Sequence, residues 1–297
     1  MTIKVCVTSS EGQTGHYTLD YLQKNYKDKF DVVPAVYDEE KAESKWKISQ
    51  TGLTTIKVDA DKKETYLEAF KSCEAVFLVP SSAENKVEHG RNMIDACHEA
   101  DVKFVLLLSM IGTEEEDYLF GKQFKELEEY LFKSGIRQHC VIRSNFYAEN
   151  LLLYKDSVMK GELPLPIHDG AMSPVSVKDI GKLACHILND WNSHIGRAYN
   201  ITGPECINGH QIASQFSKAL GKDIKYVDIS ESDAEVLLKD QNVPPHEIRG
   251  LLEFYKLVKN NQMNVISRDF ANLTGDQPKS IKEVVEDNKD VFHAREE

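Results

Sequence analysis

The chain has 297 residues, 41% of them hydrophobic, which is enough for a large core in one or two closely packed domains. Its formal net charge of −12 argues against non-specific binding to DNA, RNA or an anionic membrane. The sequence contains no run of 18 or more apolar residues, so we expect no membrane-spanning helix.

The first half of the sequence alternates short apolar runs with amphipathic segments. We predict strands at 3–8, 31–37, 55–59, 74–80, 103–109 and 138–143, and helices at 14–25, 63–72, 84–100 and 117–134. The run at 74–80 is almost wholly apolar, as expected for a strand that is buried on both faces. Strands that alternate with helices at this spacing predict an α/β fold with a doubly wound parallel sheet.

From about residue 145 this alternation ends. We predict helices at 154–160, 180–190, 209–220 and 230–238, strands at 198–203 and 224–228, a loop at 161–166 and a mainly helical tail over 243–297. Asn208 is a suitable cap for the helix that ends at Gly221. We therefore expect a first domain over 1–150, completed by the strand near 198–203. A smaller α/β domain over 151–297 would pack on it as a lid.

The first predicted strand runs into a loop rich in small residues. Gly12 and Gly15 occupy the second and third glycine positions of a G-x-x-G-x-x-G motif, and Ser9 stands where the first glycine belongs. Such a loop holds the pyrophosphate of a dinucleotide against backbone N–H groups at a helix N-terminus. Glu11 places a carboxylate in this loop, so an ordinary turn between strand and helix is the alternative.

Four segments of the sequence share a pattern that is specific to one family. They are Val7–Tyr17, Tyr118–Leu131, Cys140–Leu152 and Ser173–Gly181, the last continued by Tyr199–Pro204. In these segments the chain resembles the NmrA-like family, atypical members of the short-chain dehydrogenase/reductase superfamily, and it looks closest to a fungal branch. The resemblance implies a Rossmann domain, a smaller C-terminal domain and a cleft between them. Members of the family include NAD(P)-dependent quinone-type reductases and redox-sensing regulators that bind nucleotide without turnover.

The motif and the resemblance together indicate a cofactor site. Backbone amides from Gly12 to Gly15 would hold the pyrophosphate, and Asp59 follows the third strand, where it would meet the adenine amino group. The expected cofactor-binding residues are Ser9, Gly12, Gln13, Thr14, Gly15, Tyr37, Lys41, Asp59, Pro80, Lys122 and Asn145.

The residues after the second predicted strand bear on the choice of coenzyme. NADP-binding relatives usually place an arginine there, where this chain has Tyr37 followed by Asp38. An acidic residue at this place usually accepts from the ribose hydroxyls of NAD and repels a 2′-phosphate. Lys41 and the family resemblance favour NADP instead. We predict NADP, with NAD as the alternative.

The resemblance also implies a catalytic set. Reductases of the superfamily use a lysine to lower the pKa of a tyrosine, the tyrosine to donate a proton, and a serine to orient the carbonyl oxygen. Ser109, Tyr118 and Lys122 are the matching residues here, with Tyr118 and Lys122 four apart on one face of the helix predicted over 117–134. In many family members the tyrosine is missing and a lysine contacts the cofactor alone. Packing for Tyr118, a strand-end hydroxyl for Ser109 and a solvated position for Lys122 are the alternatives.

The substrate should lie over the nicotinamide. Phe146 and Tyr147 follow the sixth predicted strand and could sandwich a flat ring such as a quinone, with core packing as the alternative. His168 would close the mouth of this site, or remain a solvated loop histidine. No histidine or cysteine cluster has the spacing of a metal site, so we predict none.

The six cysteines are scattered without a C-x-x-C pair, which predicts buried free thiols in a reducing compartment. The first residues show no basic segment leading into an apolar one. We therefore expect a cytoplasmic protein, or a nuclear one through a partner. The sequence predicts an NAD(P)H-dependent reductase of a quinone or small carbonyl. The alternative is a redox sensor without turnover that binds NAD(P) and a regulatory protein, but not nucleic acid directly.

Overall fold

The computed structural model of the chain describes residues 2–115 and 118–292. Its strands are β1 (Ile3–Val7), β2 (Phe30–Val36), β3 (Ile56–Lys57), β4 (Ala75–Leu78), β5 (Phe104–Met110), β6 (His139–Ser144), β7 (Glu162–Leu165), β8 (Ala171–Met172), β9 (Ala198–Ile201), β10 (Ile207–Asn208) and β11 (Lys225–Asp228). The predicted strands of the first half are all present, although β3 is shorter than predicted. The segment 161–166, predicted as a loop, instead contains β7.

The helices are α1 (Gln13–Asn25), α2 (Glu39–Trp46), α3 (Lys63–Phe70), α4 (Lys86–Glu99), α5 (Leu119–Lys133), α6 (Lys155–Met159), α7 (Val177–Asn189), α8 (Gly209–Leu220), α9 (Glu231–Asp240), α10 (Pro245–Lys259), α11 (Asp269–Thr274) and α12 (Ile281–Asp287). Helix α2 was not among the predicted helices. None of the helices in the described ranges is both long enough and apolar enough to cross a membrane.

The described residues divide into two compact units. The first contains the residues up to Glu114, Gly121–Arg143 and Val177–Asn200, and the second contains 115–120, Ser144–Ser176 and the residues from Ile201 onward. The segment 177–200 thus belongs to the first unit, although it follows part of the second unit in the sequence.

A seven-stranded sheet forms the centre of the first unit, with the order β3-β2-β1-β4-β5-β6-β9 among the described residues. The pairs β1–β2, β1–β4, β2–β3 and β4–β5 are parallel. Every residue of β4 is buried, in agreement with its apolar sequence and with helices on both faces of the sheet. The prediction of an α/β fold with a doubly wound parallel sheet is confirmed.

The strand order places a topological switch point between β1 and β4. The chain runs from β1 outward to β2 and β3, and then returns to build β4, β5 and β6 on the other side of β1. Open α/β sheets bind ligands in the crevice at the carboxyl ends of the strands that flank such a point. The fold therefore predicts a ligand site at the loops after β1 and β4.

Helix α7 packs closely against α1 within the first unit. A Cβ atom added to Gly181 would lie 3.0 Å from the backbone nitrogen of Thr18. The thiol of Cys185 donates to the carbonyl oxygen of Thr18, with the two atoms 3.5 Å apart. This packing explains why 177–200 belongs to the first unit.

The second unit holds two small sheets. Strand β7 pairs in parallel with β11, and β8 pairs antiparallel with β10. Helix α8 begins at a capping box in which Asn208 and Gln211 each bond the other's backbone N–H, and it ends at Gly221 in a left-handed conformation. Both predicted boundaries of this helix are confirmed.

All six cysteines are unpaired, and five of them are buried while Cys206 is half-buried. Burial raises the pKa of these thiols, most strongly for Cys6, Cys97 and Cys185. The five buried cysteines therefore act as small apolar core residues, as the sequence predicted.

Candidate functional site

Ser9 follows β1 at the switch point and adopts an unusual backbone conformation. Its φ angle is +51°, in the left-handed region that glycine enters without steric cost. The Ser9 hydroxyl donates to the Val79 carbonyl at 2.7 Å. The neighbouring Thr8 hydroxyl accepts from the Val79 N–H at 2.8 Å. Two hydroxyl groups thus join the ends of β1 and β4, and Ser9 takes the backbone shape that a first glycine would have.

Gly12 and Gly15 both lie against the Ser9 carbonyl oxygen. The Gly12 N–H donates to this oxygen at 2.9 Å. A Cβ atom on Gly15 would lie 2.4 Å from the same oxygen and 2.8 Å from the Cα of Ser10. A Cβ atom on Gly12 would lie 3.1 Å from the Ser9 carbonyl oxygen. A Cβ atom essentially never lies within 3.0 Å of a backbone atom, so no side chain fits at position 15 without a shift of the loop. The loop therefore requires glycine at 15 and strongly favours it at 12.

Helix α1 begins at Gln13, directly after this loop. Its first turn contains no acidic residue, and no side chain caps it at Gly12. The N–H groups of the first turn, including those of Thr14 and Gly15, have no acceptor within the helix. The positive end of the helix dipole lies at the same place, which suits a diphosphate.

Glu11 projects away from the first turn of α1 toward the end of β2. Its Oε1 atom accepts from the backbone N–H of Tyr37 at 3.3 Å. Its Oε2 atom is buried and has no hydrogen-bond partner among the described residues. The residue is only 6% exposed, and burial raises the pKa of its carboxyl group above the ordinary value.

The segment after β2 is organised around α2. The Asp38 carboxylate accepts from the Lys41 N–H at 2.9 Å and so caps this helix. At the other end of α2, the Trp46 indole N–H donates to the Glu11 carbonyl at 2.7 Å. The Trp46 ring also stacks on His16, with ring centroids 4.1 Å apart. Sequence reasoning missed this role of Trp46; the Asp38 cap and the glutamates after it were the signal for a helix.

A cavity of about 340 Å³ opens at the carboxyl ends of β3 and β4. It is lined by Tyr37, Lys57, Val58, Asp59, Ala60, Ser81, Ala83 and His89. Tyr37 and Asp59 are the predicted cofactor-binding residues that line this cavity. The hydrogen bond from Lys62 lowers the pKa of the Asp59 carboxyl group. Pro80 is half-buried between β4 and Ser81.

The lining residue His89 and the buried Tyr66, which bonds the lining residue Tyr37, were not predicted. The buried His89 ring bonds the Ser81 hydroxyl through Nδ1 at 3.1 Å and the Asp61 carboxylate through Nε2 at 3.0 Å. The Tyr66 hydroxyl donates to the Tyr37 hydroxyl at 2.9 Å. The cavity thus has polar groups held in defined positions. The signal for His89 was its place in the first turns of the helix that follows β4.

Ser109 lies in β5 and is buried. Its hydroxyl donates to Glu128 Oε1 at 2.5 Å. The guanidinium of Arg143 donates to both oxygens of Glu128, at 2.9 and 2.5 Å, and this contact raises the pKa of Arg143. Ser109 therefore bonds to a salt bridge between the buried Glu128 and the half-buried Arg143, which the sequence did not predict. The sequence signal for this contact was Glu128, which lies next to the apolar positions Leu127 and Leu131 on the buried face of α5.

The other two predicted catalytic residues lie at the start of α5. Lys122 is exposed on this helix. Tyr118 precedes the helix, so the two residues do not share a helix face as predicted. Tyr118 is 2% exposed and packs in the second unit against Phe120 and Phe254. Burial raises the pKa of its phenol.

The residues predicted to line the substrate site belong to the second unit. The Phe146 ring is 6% exposed and stacks on Phe254, with centroids 5.0 Å apart. Tyr147 is half-buried and forms a single parallel bridge with Val175. The Asn145 amide donates to the Ser173 hydroxyl at 3.0 Å and accepts from the Phe146 N–H at 2.7 Å. Asn145 and Phe146 thus make structural contacts within this unit.

His168 lies in an exposed loop with a φ angle of +47°. Its backbone N–H donates to Asp228 Oδ1 at 2.9 Å, and its ring bonds the other oxygen of the same carboxylate. The Tyr226 hydroxyl donates to the His168 carbonyl at 3.0 Å. These contacts hold the loop to the end of β11.

Comparison with known proteins gives the same fold and one family. The model of the NmrA-like family matches residues 1–285, which confirms the resemblance seen in the sequence. Quinone oxidoreductase 2 of Escherichia coli (strain K12) is 25% identical over 242 residues, covering 81% of this chain and 82% of that protein. NAD(P)H azoreductase of Xenophilus azovorans is 24% identical over 249 residues, covering 83% and 86%. Festuclavine dehydrogenase of Aspergillus fumigatus is 28% identical over 227 residues, covering 75% and 77%.

Solved structures agree at the level of the fold. The Escherichia coli NADPH-dependent quinone oxidoreductase complexed with NADPH has a TM-score of 0.84 at 23% identity, covering 96% of this chain and 99% of that one. The Citrobacter triphenylmethane reductase complexed with NADP(H) has a TM-score of 0.83 at 17% identity, covering 95% and 99%.

Proposed function

This chain belongs to the NmrA-like family, and we propose that it is an NAD(P)H-dependent reductase of a quinone or another small carbonyl compound. The observation that carries the proposal is the geometry of the loop between β1 and α1. Ser9 keeps the left-handed backbone of a first glycine, and Gly15 leaves no room for any side chain. The match to relatives named quinone oxidoreductase and azoreductase supports the same activity.

The residues of the first unit fit a dinucleotide. We assign its pyrophosphate to the backbone N–H groups of Gln13, Thr14 and Gly15 in the first turn of α1, where the helix dipole is positive. We assign its adenine to the cavity of about 340 Å³ beside Asp59, whose carboxylate accepts hydrogen bonds of the kind an amino group donates. Both places lie at the carboxyl ends of the strands, as expected for this fold. The relatives complexed with NADPH favour NADP(H) as this dinucleotide.

The chemistry divides between the coenzyme and the protein. The coenzyme supplies a hydride when it is bound. After hydride transfer, a quinone needs one further proton, taken from water, to become a hydroquinone, and the negative charge on the oxygen must be stabilised until that proton is added. Because Ser109 and Tyr118 are engaged in other contacts, we assign this stabilisation to the ammonium group of Lys122. Tyr147 keeps exposed area and is our candidate for contact with a flat substrate.

A sensor without turnover is the second candidate function. It is favoured by the same placement of Ser109 and Tyr118, since neither hydroxyl is available for proton transfer in a Ser-Tyr-Lys set. In this case the protein would bind NAD(P) and report its redox state to a regulatory partner. For either function we propose a cytoplasmic location, with a nuclear one if a partner carries the protein there.

Calorimetric titration with NADH, NADPH and their oxidised forms, followed by assays of coenzyme oxidation with a panel of quinones, separates the two functions. For the reductase we expect binding of the reduced coenzyme and quinone-dependent turnover. Lys122→Ala should lower kcat by roughly 10- to 100-fold, with little change in coenzyme affinity. Lys125→Ala, which removes another exposed lysine of α5, is the control and should leave the rate unchanged.

Each other outcome identifies a different failure. Tight binding of the oxidised coenzyme without turnover on any quinone would establish the sensor instead. An unaffected rate in the Lys122 variant would remove this residue from the site. The lack of binding of every coenzyme form would overturn both functions.

A further inference from the structure

Three polar side chains form a row of hydrogen bonds at the cavity of about 340 Å³. The His89 ring lies between the Asp61 carboxylate and the Ser81 hydroxyl, and both His89 and Ser81 line the cavity. His89 is only 6% exposed, so the protein rather than water supplies the partners of its two ring nitrogens. The backbone N–H of Asp61 also donates to Asp59 Oδ1 at 3.2 Å, which connects this row to the Asp59 carboxylate.

The direction of each hydrogen bond in this row follows from the chemistry of its groups. An ionised carboxylate can only accept, so the Nε2 atom of His89 donates to Asp61. A neutral imidazole has one donor nitrogen and one acceptor nitrogen, so its Nδ1 atom accepts the hydroxyl proton of Ser81. A serine hydroxyl has a single proton. The Ser81 oxygen can therefore accept a hydrogen bond from a ligand in the cavity, but it has no proton left to donate.

The other side chains of the cavity agree with this polarity. The Asp59 carboxylate, which Lys62 and the Asp61 N–H hold in place, also accepts hydrogen bonds. Lys57 lines the cavity as a donor, but it is exposed, and an exposed ammonium group is strongly hydrated. The two polar groups that hydrogen bonds within the protein fix in position, on Asp59 and Ser81, are thus both acceptors.

A ligand that suits these two acceptors must donate hydrogen bonds. The 6-amino group of adenine carries two N–H donors, whereas the 6-oxo group of hypoxanthine can only accept. An oxo group placed against Ser81 or Asp59 would lose its water and gain no hydrogen bond in return. Sites built to bond an N–H group reject an analogue that lacks it.

We infer that Asp61 and His89 orient the Ser81 hydroxyl as a hydrogen-bond acceptor, through which the chain selects a coenzyme with a 6-amino purine over one with a 6-oxo purine. The inference rests on the proposed coenzyme site but not on its catalysis. Ser81 is the residue that contacts the base, and His89 is a positioning residue that acts through Ser81.

The test compares NADPH with its hypoxanthine analogue, in which an oxo group replaces the 6-amino group. Dissociation constants are measured by calorimetry with the full chain at slightly alkaline pH, where imidazole is neutral. We expect NADPH to bind at least about tenfold more tightly than the analogue. Ser81→Ala should reduce this ratio at least about threefold, because it removes a partner of the amino group and relieves the contact with the oxo group.

Two substitutions of His89 test whether it acts through Ser81. His89→Leu removes both ring nitrogens and should lower the ratio in the otherwise unaltered chain, but not when Ser81→Ala is already present. His89→Gln retains a donor and an acceptor, so it should keep more of the preference than His89→Leu. Thermal unfolding shows which variants fold, and Ser81→Ala tests the inference even if a variant of the buried His89 does not.

Ser82→Ala is the matched control, because it removes the same hydroxyl from the exposed neighbour of Ser81. It should leave the ratio unchanged. Equal binding of NADPH and the analogue, or an unchanged ratio in Ser81→Ala, would overturn the inference and leave the proposed function intact. An effect of His89→Leu that is the same with and without the Ser81 hydroxyl would overturn the positioning role of His89. Failure of both NADPH and the analogue to bind would overturn the proposed function and this inference together.

Discussion

The loop between β1 and α1 and the aromatic cluster of the second unit use their residues in opposite ways. In the loop, Gly12 and Gly15 have no Cβ atom, so their backbone atoms can lie close to the backbone of Ser9. In the aromatic cluster, which we define as Tyr118, Phe120, Phe146, Phe254 and Tyr255, the side chains themselves fill the interior. The loop presents main-chain groups, whereas the side chains of the cluster fill the interior of the second unit.

This difference explains why one region tolerates a departure from its motif. A binding site made of N–H groups depends on backbone angles, so a serine that accepts a φ of +51° can stand where glycine is usual. A region made of rings depends on every neighbour, because interiors are packed to the density of organic crystals. Substitutions should therefore affect stability in the cluster and ligand binding in the loop.

The largest expected effect is in the cluster. Phe146→Ala should lower the free energy of unfolding by about 3–5 kcal/mol, because it leaves a cavity beside Phe254. Chemical denaturation measures this, and Phe132→Ala is the control, since that ring is 51% exposed and its loss should cost much less. If Phe146 instead served mainly to bind substrate, its loss would raise KM and hardly change the unfolding transition.

The next effect is in the loop. Gly15→Ala should weaken coenzyme binding by more than about tenfold and cost about 1–3 kcal/mol of stability, because its Cβ would overlap the Ser9 carbonyl. Gly12→Ala, whose Cβ would lie 3.1 Å from the same oxygen, should be milder in both respects. Calorimetry measures the coenzyme affinity of the two variants, and thermal unfolding measures their stability. A larger loss in Gly12→Ala than in Gly15→Ala would contradict this account of the loop.

A pair of substitutions at Ser9 separates its side chain from its backbone. Ser9→Ala should cost about 1 kcal/mol, since it loses the hydrogen bond to Val79 and keeps the positive φ. Ser9→Gly loses the same bond but relieves a left-handed conformation that costs about 1–2 kcal/mol for other residues, so its stability should stay near that of the unaltered chain. Urea denaturation of both variants decides the point, and equal losses would show that the conformation carries no strain.

The smallest effect concerns pH. Burial raises the folded-state pKa of Glu11 above its unfolded value, so the ionised carboxylate destabilises the fold at pH values above that folded pKa. The penalty is absent below the unfolded pKa of about 4.3. Glu11→Gln should therefore raise Tm by roughly 1–3 °C at pH 7, and this gain should shrink as the pH falls toward 4. A gain that is constant with pH would show that the charge of Glu11 is not its cause.

Much of the fold could be predicted from the sequence because local chemistry specifies it. The apolar runs and the helical periods predicted β1 to β6 and most of the helices. Asn208 and Gly221 marked the ends of α8, since capping depends on residues within one turn. Gly12 and Gly15 marked the loop for the same reason, because a close approach of backbone atoms needs glycine.

The rest was decided by contacts between residues far apart in the sequence. Trp46 reaches the carbonyl of Glu11, Arg143 neutralises Glu128 beside Ser109, and Phe146 finds Phe254. No local pattern distinguishes a ring that binds a substrate from one that fills a core, or a carboxylate that faces water from one that is buried. The sequence alone therefore determined the α/β architecture and the glycine loop between β1 and α1. Only the tertiary structure decided which polar and aromatic side chains remain to act on a ligand, because burial depends on neighbours that the folded chain brings together.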